Sequence, residues 1–364
     1  MILIVGAGSI GKRHLANLAS LGVREAAVAD PREDRLKEAQ ERLRSAGAGP
    51  VKLTLLRSDR EAYDRRLPLK GTVIATPPRQ HPEAIRNALQ AGCPIFCEKP
   101  LACDDEDWES LTGLVEQAER KKLFTLVAYN YRFNAQLRQL RKILSENAVG
   151  RILSVRGTFS ENLREWHPWE GLNFYMSSRR QGGGALLDES HLIDLCRWLF
   201  GEISEVTGYN GTVSSLGQEP GFDVDDLVEI GVRFESGAVG SLHMDLFGKY
   251  HQKRLEVIGE EGTLFWNFDN TDLESNGIQL WKGKRVTLTP ETTRRVPEQV
   301  IPTDGRARNE MYREEMAYFL EAVKAGRGQR EDVPDLRDGW RTMQVVRAAR
   351  RRCAEPKEQV RAGA

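Results

Sequence analysis

The chain opens on a strand-like run, Ile2-Leu3-Ile4-Val5, that passes without a break into Gly6-Ala7-Gly8-Ser9-Ile10-Gly11 and then into helix-forming residues from Lys12 to Leu21. No other feature restricts the fold as tightly, because a GxGxxG set between strand and helix is the turn that receives a dinucleotide pyrophosphate. Gly6 permits the sharp turn, Gly8 lets the backbone approach the phosphates, and Gly11 allows the helix to pack close to the strand. The first helical amides, at Ser9 and Ile10, then face negative charge. Asp30 ends a second strand about 20 residues beyond the glycines, where a carboxylate accepts hydrogen bonds from ribose hydroxyls and repels a 2′-phosphate. The expected cofactor is therefore NAD, with NADP the weaker alternative. Arg32, two residues further on, offers a guanidinium that also suits a phosphate, so it belongs with the cofactor set.

Apolar runs at Ile2 to Val5, Ala26 to Ala29, Thr72 to Ala75, Pro94 to Cys97 and Thr125 to Ala128 alternate with helical stretches at about Lys12–Leu21, Glu33–Ala46, Pro82–Ala91 and Glu106–Lys121. This alternation predicts a doubly wound parallel sheet, an α/β Rossmann domain over residues 1–125. Its ligand crevice lies at the carboxyl ends of the strands. Two segments reach that edge: Thr76-Pro77-Pro78 with His81 after one strand, and Glu98-Lys99-Pro100 after the next. Thr76, Pro77, His81, Glu98 and Lys99 thus join the expected cofactor contacts, although His81 alone also fits an ordinary histidine at a helix start.

Beyond Tyr129 the periodicity changes. A helix at about Asn134–Glu146 is followed by period-2 runs at Ile152–Phe159, Leu227–Phe234 and Ala238–Phe247, with Gly237 and Gly262 supplying hairpin turns. An α+β domain with a large, open, mainly antiparallel sheet is expected over 126–330. A helix near Ala185–Phe200 interrupts the strands, and two more follow at about Asn309–Ala325 and Asp335–Arg352. The last, within 331–352, is expected to pack back on the Rossmann domain, ahead of a charged tail at 353–364. A chain of 364 residues is long enough for two such cores.

The succession GAGSIG, ATPP with a following His, AGCPIFCEKPLA, YNYRF, GGGALLDESHLIDLCRWLFG, VIGEEGTLFW and NEMYREEMAYFLEAV resembles the glucose-fructose oxidoreductase and inositol dehydrogenase (Gfo/Idh/MocA) family from Met1 to about Arg350. That resemblance implies a Rossmann domain joined to an open-sheet domain, with hydride passing at their junction between a substrate carbinol carbon and nicotinamide C4. It places Lys99, the lysine of EKP, against the reacting hydroxyl. A cation there stabilises a developing alkoxide and relays its proton. The alternative for Lys99 is a surface ion pair with Glu98.

Asp188 and His191 lie three residues apart on the helix expected there, which sets both on one face. A carboxylate-oriented imidazole makes His191 a general acid/base near neutral pH. A core histidine is the other reading. Many family members carry one more residue between this Asp and His, which leaves Lys99 and His191 both open as the principal proton carrier. Asp194 is assigned to structure rather than chemistry. Substrate contacts are expected from Lys99, Asp188 and His191, from Asn130 and Arg132 after the last Rossmann strand, and from Arg164, Trp166 and His167. Several guanidiniums, Arg179 and Arg180 included, suit a carboxylate or phosphate, so an acidic sugar or nucleotide sugar leads and an inositol follows. The WHP segment and DESHLID also resemble members that build surface-glycan sugars. Each arginine reads equally well as a solvated loop residue.

Lys plus Arg and Asp plus Glu both total 53, which argues against a nucleic-acid or membrane partner. The opening residues carry no export signal, so a cytoplasmic protein is expected. The five cysteines, at 93, 97, 103, 196 and 353, show no metal-ligand spacing, so no metal site and no disulfide framework is expected. The open sheet is expected to leave an apolar face that a homo-oligomer, dimer or tetramer, covers. Two further readings keep the fold: an NAD-retaining enzyme that oxidises its sugar transiently for epimerisation, elimination or glycoside cleavage, and a non-catalytic NAD-binding sensor. The second is expected to lack an intact acid/base set.

Overall fold

The alternation at the N-terminus becomes a six-stranded, wholly parallel sheet in the computed structural model. The structure describes all residues except 46, 48, 104–105, 167–170, 173, 269–275, 290–291, 303–308, 327–331 and 354–364. Strands β1 (Ile2–Val5), β2 (Glu25–Ala29), β3 (Lys52–Leu56), β4 (Gly71–Ile74), β5 (Ile95–Cys97) and β6 (Thr125–Val127) stand in the order β3-β2-β1-β4-β5-β6. Helices α1 (Ser9–Ser20), α2 (Glu33–Ser45), α3 (Asp59–Asp64), α4 (His81–Gln90) and α5 (Glu106–Arg120) connect them. β1 and β4 are buried along their whole length, as strands covered on both faces must be. The order reverses beside β1, which pairs with both β2 and β4. That reversal places a crevice at the carboxyl ends of β1 and β4.

The sequence reading had five strands here. The sixth, β3, is a sheet-edge strand that buries only Leu56, so its pattern carries no periodicity to read.

The chain divides into two compact units, the first comprising Met1–Phe133, Arg180–Gly182 and Asn309–Met343, the second Asn134–Arg179, Gly183–Arg308 and Gln344–Ala364. The second is built on an eight-stranded sheet of β7 (Ile152–Asn162), β8 (Ile203–Gly211), β9 (Leu227–Phe234), β10 (Val239–Asp245), β11 (Phe247–Gly259), β12 (Thr263–Phe268), β13 (Gly277–Trp281) and β16 (Gln299–Pro302). β14 (Arg285–Thr289) and β15 (Thr292–Arg295) pair antiparallel as a separate two-stranded sheet. The large sheet runs β16-β13-β12-β11-β7-β10-β9-β8, antiparallel except where β10 lies parallel to β7. Alternation sends Val155, Phe159, Leu242, Met244, Val228, Ile230, Leu255, Val257 and Trp266 to the buried face. Helices α6 (Ala135–Ser145), α7 (Leu163–Trp166), α8 (Ala185–Asp188) and α9 (Ser190–Phe200) complete this unit. α9 presses on β7 at Gly157, where an added Cβ would come within 2.8 Å of Leu192.

The opposite sheet face differs from the apolar one expected. From the central strands to the β8 edge it carries cross-strand charge pairs beside the exposed Val239: Arg156 with Glu256 at 3.1 Å, Arg233 with Glu205 at 3.3 Å, and His243 with Glu229. Each pair is set directly opposite by the register, the geometry in which opposite charges stabilise a sheet.

Two helices close the described chain, α10 (Glu310–Ala325) and α11 (Leu336–Arg352). The sequence reading ran the second domain to residue 330, whereas α10 belongs to the first unit. Phe319 explains the assignment. It is fully buried, meets Phe96 edge-on at 5.7 Å, and lies so near β4 that a Cβ on Gly71 would approach it to 2.7 Å. The first turns of α11, to Met343, also belong there: Trp340 stacks on Trp108 at 5.5 Å, and Gly339 meets Leu101 and Val127. Of the expected tail at 353–364, everything from 354 onward lies outside the described residues. Among the described residues no helix is long and apolar enough to cross a membrane, and all five cysteines are free and buried.

Candidate active site

The glycine turn has the geometry that its sequence implies. Gly6 adopts φ +98°, open to glycine and strained for other residues, and an added Cβ would stand 2.6 Å from the Ala75 carbonyl oxygen. A Cβ on Gly11 would lie 2.0 Å from the Gly6 carbonyl oxygen, so any larger residue drives α1 off the turn. Gly8 is the opposite case, with nothing within 4 Å of its missing side chain. It is also the N-cap of α1, and no side chain caps the helix or places an acid in its first turn. The amides after Gly8 are thus left for an anionic ligand.

Asp30 is buried at the end of β2. Its two oxygens each accept one backbone N–H, from Ala7 at 2.8 Å and Arg32 at 2.9 Å, which leaves lone pairs on both for ribose hydroxyls. The guanidinium of Arg32, a sequence candidate for a phosphate, instead binds Asp34 at 2.5 and 3.2 Å. That pairing draws Asp34 down to about 2.

Beyond β4, the hydroxyl of Thr76 is buried without a hydrogen-bond partner among the described residues, an orphan of the kind a bound ligand satisfies. Pro77 follows it, ahead of the turn Pro78–Gln80. His81 is fully buried and contacts two carbonyl oxygens, of Thr76 at 2.9 Å and Pro100 at 2.8 Å. It therefore ties the β4 loop to the EKP loop rather than facing a ligand. Burial lowers its pKa against the opposing pull of both carbonyls. Asn130, after β6, keeps a buried side-chain oxygen that has no hydrogen-bond partner among the described residues. Open space at Gly8, the orphan oxygens of Thr76 and Asn130, and a ribose-competent Asp30 together fit a dinucleotide on this edge of the sheet.

Lys99 is half-buried just beyond β5. Glu98 is not the surface residue that the alternative reading of Lys99 supposed. It is buried, one oxygen lying 2.6 Å from Nε2 of His14 and the other accepting the Lys99 amide at 3.3 Å. Beside this pair, Glu315 of α10 is fully buried, with ligand-type atoms of all three residues within 4.8 Å of one another. Sequence reasoning missed His14 and Glu315, because nothing local marks a helical histidine or glutamate as sharing a core with residue 98.

In the second unit, Asp188 and His191 do not share one helix as expected. α8 ends at Asp188 and α9 begins at Ser190, with Glu189 between them at φ −86°, ψ 16°. The three-residue spacing therefore spans a corner. Asp188 is buried and accepts a hydrogen bond from the Tyr175 hydroxyl at 3.2 Å. His191 is half-buried in the first turn of α9. The glycines before this corner are needed for close approach. A Cβ on Gly183 would meet the Met176 carbonyl oxygen at 2.2 Å, and Gly184, at φ +104°, abuts the Asp225 carboxylate. That carboxylate takes the Leu186 amide at 2.7 Å, and burial raises its pKa. Tyr175 lay within reach of the sequence, seven residues before the glycine run, whereas Asp225 is distant in the chain and nothing local marks it.

The arginines expected to grip an anion are engaged with groups of their own unit. Arg132 is buried against Asp338 at 3.1 Å, Arg164 pairs with Glu219 at 2.5 Å, and the Arg179 guanidinium donates to the Asp223 carbonyl at 3.2 Å. Arg180 is exposed. Trp166 closes α7, and His167 lies outside the described residues.

Comparison with known proteins agrees with this geometry. Residues 1–129 match the model of an oxidoreductase family with an NAD-binding Rossmann fold, and residues 137–265 match the GFO/IDH/MocA C-terminal domain. Levoglucosan dehydrogenase of Pseudarthrobacter phenanthrenivorans is 32% identical over 293 residues, 74% of each chain. Myo-inositol 2-dehydrogenase of Thermotoga maritima is 26% identical over 329 residues, 89% of this chain and 88% of its own. Among solved structures, levoglucosan dehydrogenase in complex with NADH and levoglucosan superposes with a TM-score of 0.78 at 27% identity, covering 97% of this chain and 96% of that one.

Proposed function

This chain belongs to the GFO/IDH/MocA oxidoreductases and is an NAD-dependent enzyme of that family, and from that premise we propose that it oxidises a carbinol of an uncharged cyclic polyol. The observation that carries the choice of substrate is the pairing of Arg132 and Arg164 with the carboxylates of Asp338 and Glu219. Guanidiniums already compensated in this way offer little to a sugar carboxylate or nucleotide phosphate. The relatives named for levoglucosan and myo-inositol act on neutral rings rich in hydroxyls, in keeping with the same reading.

The coenzyme is held by the glycine turn and the α1 amides at its phosphates, by Asp30 at its ribose, and by Thr76 and Asn130 along the same edge. When bound, NAD supplies the hydride acceptor. Lys99 donates a hydrogen bond to the reacting hydroxyl and stabilises the alkoxide as the C–H hydride departs. His191 takes the hydroxyl proton as general base, with Asp188, steadied by Tyr175, orienting the imidazole and stabilising its charged form. An enzyme that draws on the free coenzyme pool is read as a cytoplasmic one. A homo-oligomer that covers the open sheet face through the exposed Val239 and the charge pairs beside it is part of the same reading, and a monodisperse monomer in light scattering would remove that part of it.

The test is the appearance of reduced nicotinamide, followed by near-ultraviolet absorbance, with levoglucosan, inositols, uronic acids and nucleotide sugars offered in turn with NAD or NADP. The expected result is turnover with NAD on a neutral polyol. Preference for an acidic sugar would overturn the substrate assignment, and turnover without net reduction of NAD would overturn the dehydrogenase direction. Full turnover in both Lys99→Met and His191→Ala would overturn the assignment of the acid and base.

A further inference from the structure

The second unit contains a buried charge cluster that the reaction above does not use. Lys253 of β11 is 2% exposed, and its ammonium donates to both carboxylate oxygens of Glu189, at 3.0 and 2.9 Å. The same nitrogen lies 2.5 Å from Glu161 of β7 and 4.4 Å from the centre of the Phe159 ring. Both carboxylates are as buried as the lysine. Such a trio is expensive to desolvate, and well-packed apolar residues hold an interior together at least as well. Its position gives it a use that apolar residues would not serve.

Glu189 is the single residue between α8 and α9, and so between Asp188 and His191. It stands at the N-cap of α9, yet its side chain makes no capping hydrogen bond. The carboxylate turns to Lys253 instead. We propose that Lys253 is a positioning residue: by gripping both oxygens of Glu189 it fixes the α8–α9 corner and thereby the directions in which Asp188 and His191 project. Glu161 has a different part. It supplies a second negative charge beside the buried ammonium, from β7 and not from the corner itself. The backbone register sets Lys253 beside Glu161, since Lys253 lies opposite Phe159 and Glu161 is two residues further along β7, and Glu189 reaches the same ammonium from the α8–α9 corner. The proposal rests on reading Asp188 and His191 as the acid–base pair.

Glu189→Gln and Glu161→Gln change charge and volume identically at equally buried positions beside the same ammonium, so a purely structural role affects both alike. The proposal expects a split. With levoglucosan or myo-inositol, whichever the parent oxidises faster, Glu189→Gln lowers kcat on the order of a hundredfold, as for displacement of a catalytic group by about 1 Å. KM for NAD stays unchanged, and Glu161→Gln loses at most a few-fold. Lys253→Arg, which keeps the cation, retains more activity than Lys253→Met. Independently of turnover, the imidazole NMR signals of His191 shift in Glu189→Gln and stay in place in Glu161→Gln. Equal losses in the two glutamate variants, or unshifted His191 signals in Glu189→Gln, would overturn the clamp. Undiminished turnover in His191→Ala with shifted signals in Glu189→Gln would instead overturn the acid–base reading on which its function rests.

Discussion

Nε2 of His14 lies 2.6 Å from the carboxylate of Glu98, which ties the residue immediately before Lys99 to the helix that begins at the glycine turn. Coenzyme turn and EKP loop are thus linked through one buried hydrogen bond. Removing one partner leaves the other buried and unsatisfied, at a cost of about 3 kcal/mol. His14→Leu is therefore expected to lose about that much unfolding free energy in denaturant titrations and to lower kcat through Lys99. Unchanged stability would show that Glu98 finds another partner.

Glu315 is fully buried, and neither of its carboxylate oxygens has a hydrogen-bond partner among the described residues. Desolvation, reinforced by Glu98 and opposed by Arg13, pushes its pKa well above the carboxylate range. A group raised in this way favours the fold below its unfolded pKa, and that contribution is lost as pH rises through the folded value. Glu315→Gln keeps the shape of the neutral acid and does not ionise. Its stability relative to the parent is expected to increase as pH rises, and identical pH profiles for the two proteins would refute this.

Gly8 and Gly11 separate coenzyme binding from folding. Gly11→Ala sets a methyl group 2.0 Å from a backbone oxygen, and is expected to cost about 3 kcal/mol of stability and most of the NAD affinity. Gly8→Ala meets nothing among the described residues, so its stability should change by no more than about 0.5 kcal/mol. Its methyl group nonetheless stands where the pyrophosphate belongs, and calorimetry should show NAD affinity falling at least about tenfold. Intact affinity in Gly8→Ala would place the coenzyme elsewhere.

His243 sits between Asp245, at 2.7 Å, and Glu229 on the open sheet face, and its pKa is raised to about 9, chiefly by Asp245. The stabilisation is fully present below the unfolded value near 6.5 and is lost as pH rises through about 9. Solvent at this half-exposed site keeps it below about 1 kcal/mol. The parent should be slightly more stable than His243→Gln at pH 6 and converge with it above pH 9, and a histidine NMR titration near 6.5 would remove the basis for the difference.

The Rossmann half was legible because its signals are local: a glycine turn, buried parallel strands, and polar residues at strand ends. β3 escaped because a single buried residue makes no pattern. In the second half, the corner at Glu189 was read as continuous helix, since ALLDESHLIDL has helical periodicity throughout and the break coincides with a grip from Lys253, 64 residues away. The arginines looked free for substrate for a related reason. Asp338 lies 206 residues from Arg132, and no local pattern reveals such a partner.

The interleaving of the chain limits what can be cut from it. The first unit is assembled from three separate stretches, and Phe319 from the last fills the space over Gly71 and Phe96. A fragment ending at Phe133 would carry the whole nucleotide-binding sheet yet expose an aromatic socket built for a residue translated much later. On the ribosome, that sheet must wait for nearly the entire chain before its core can close.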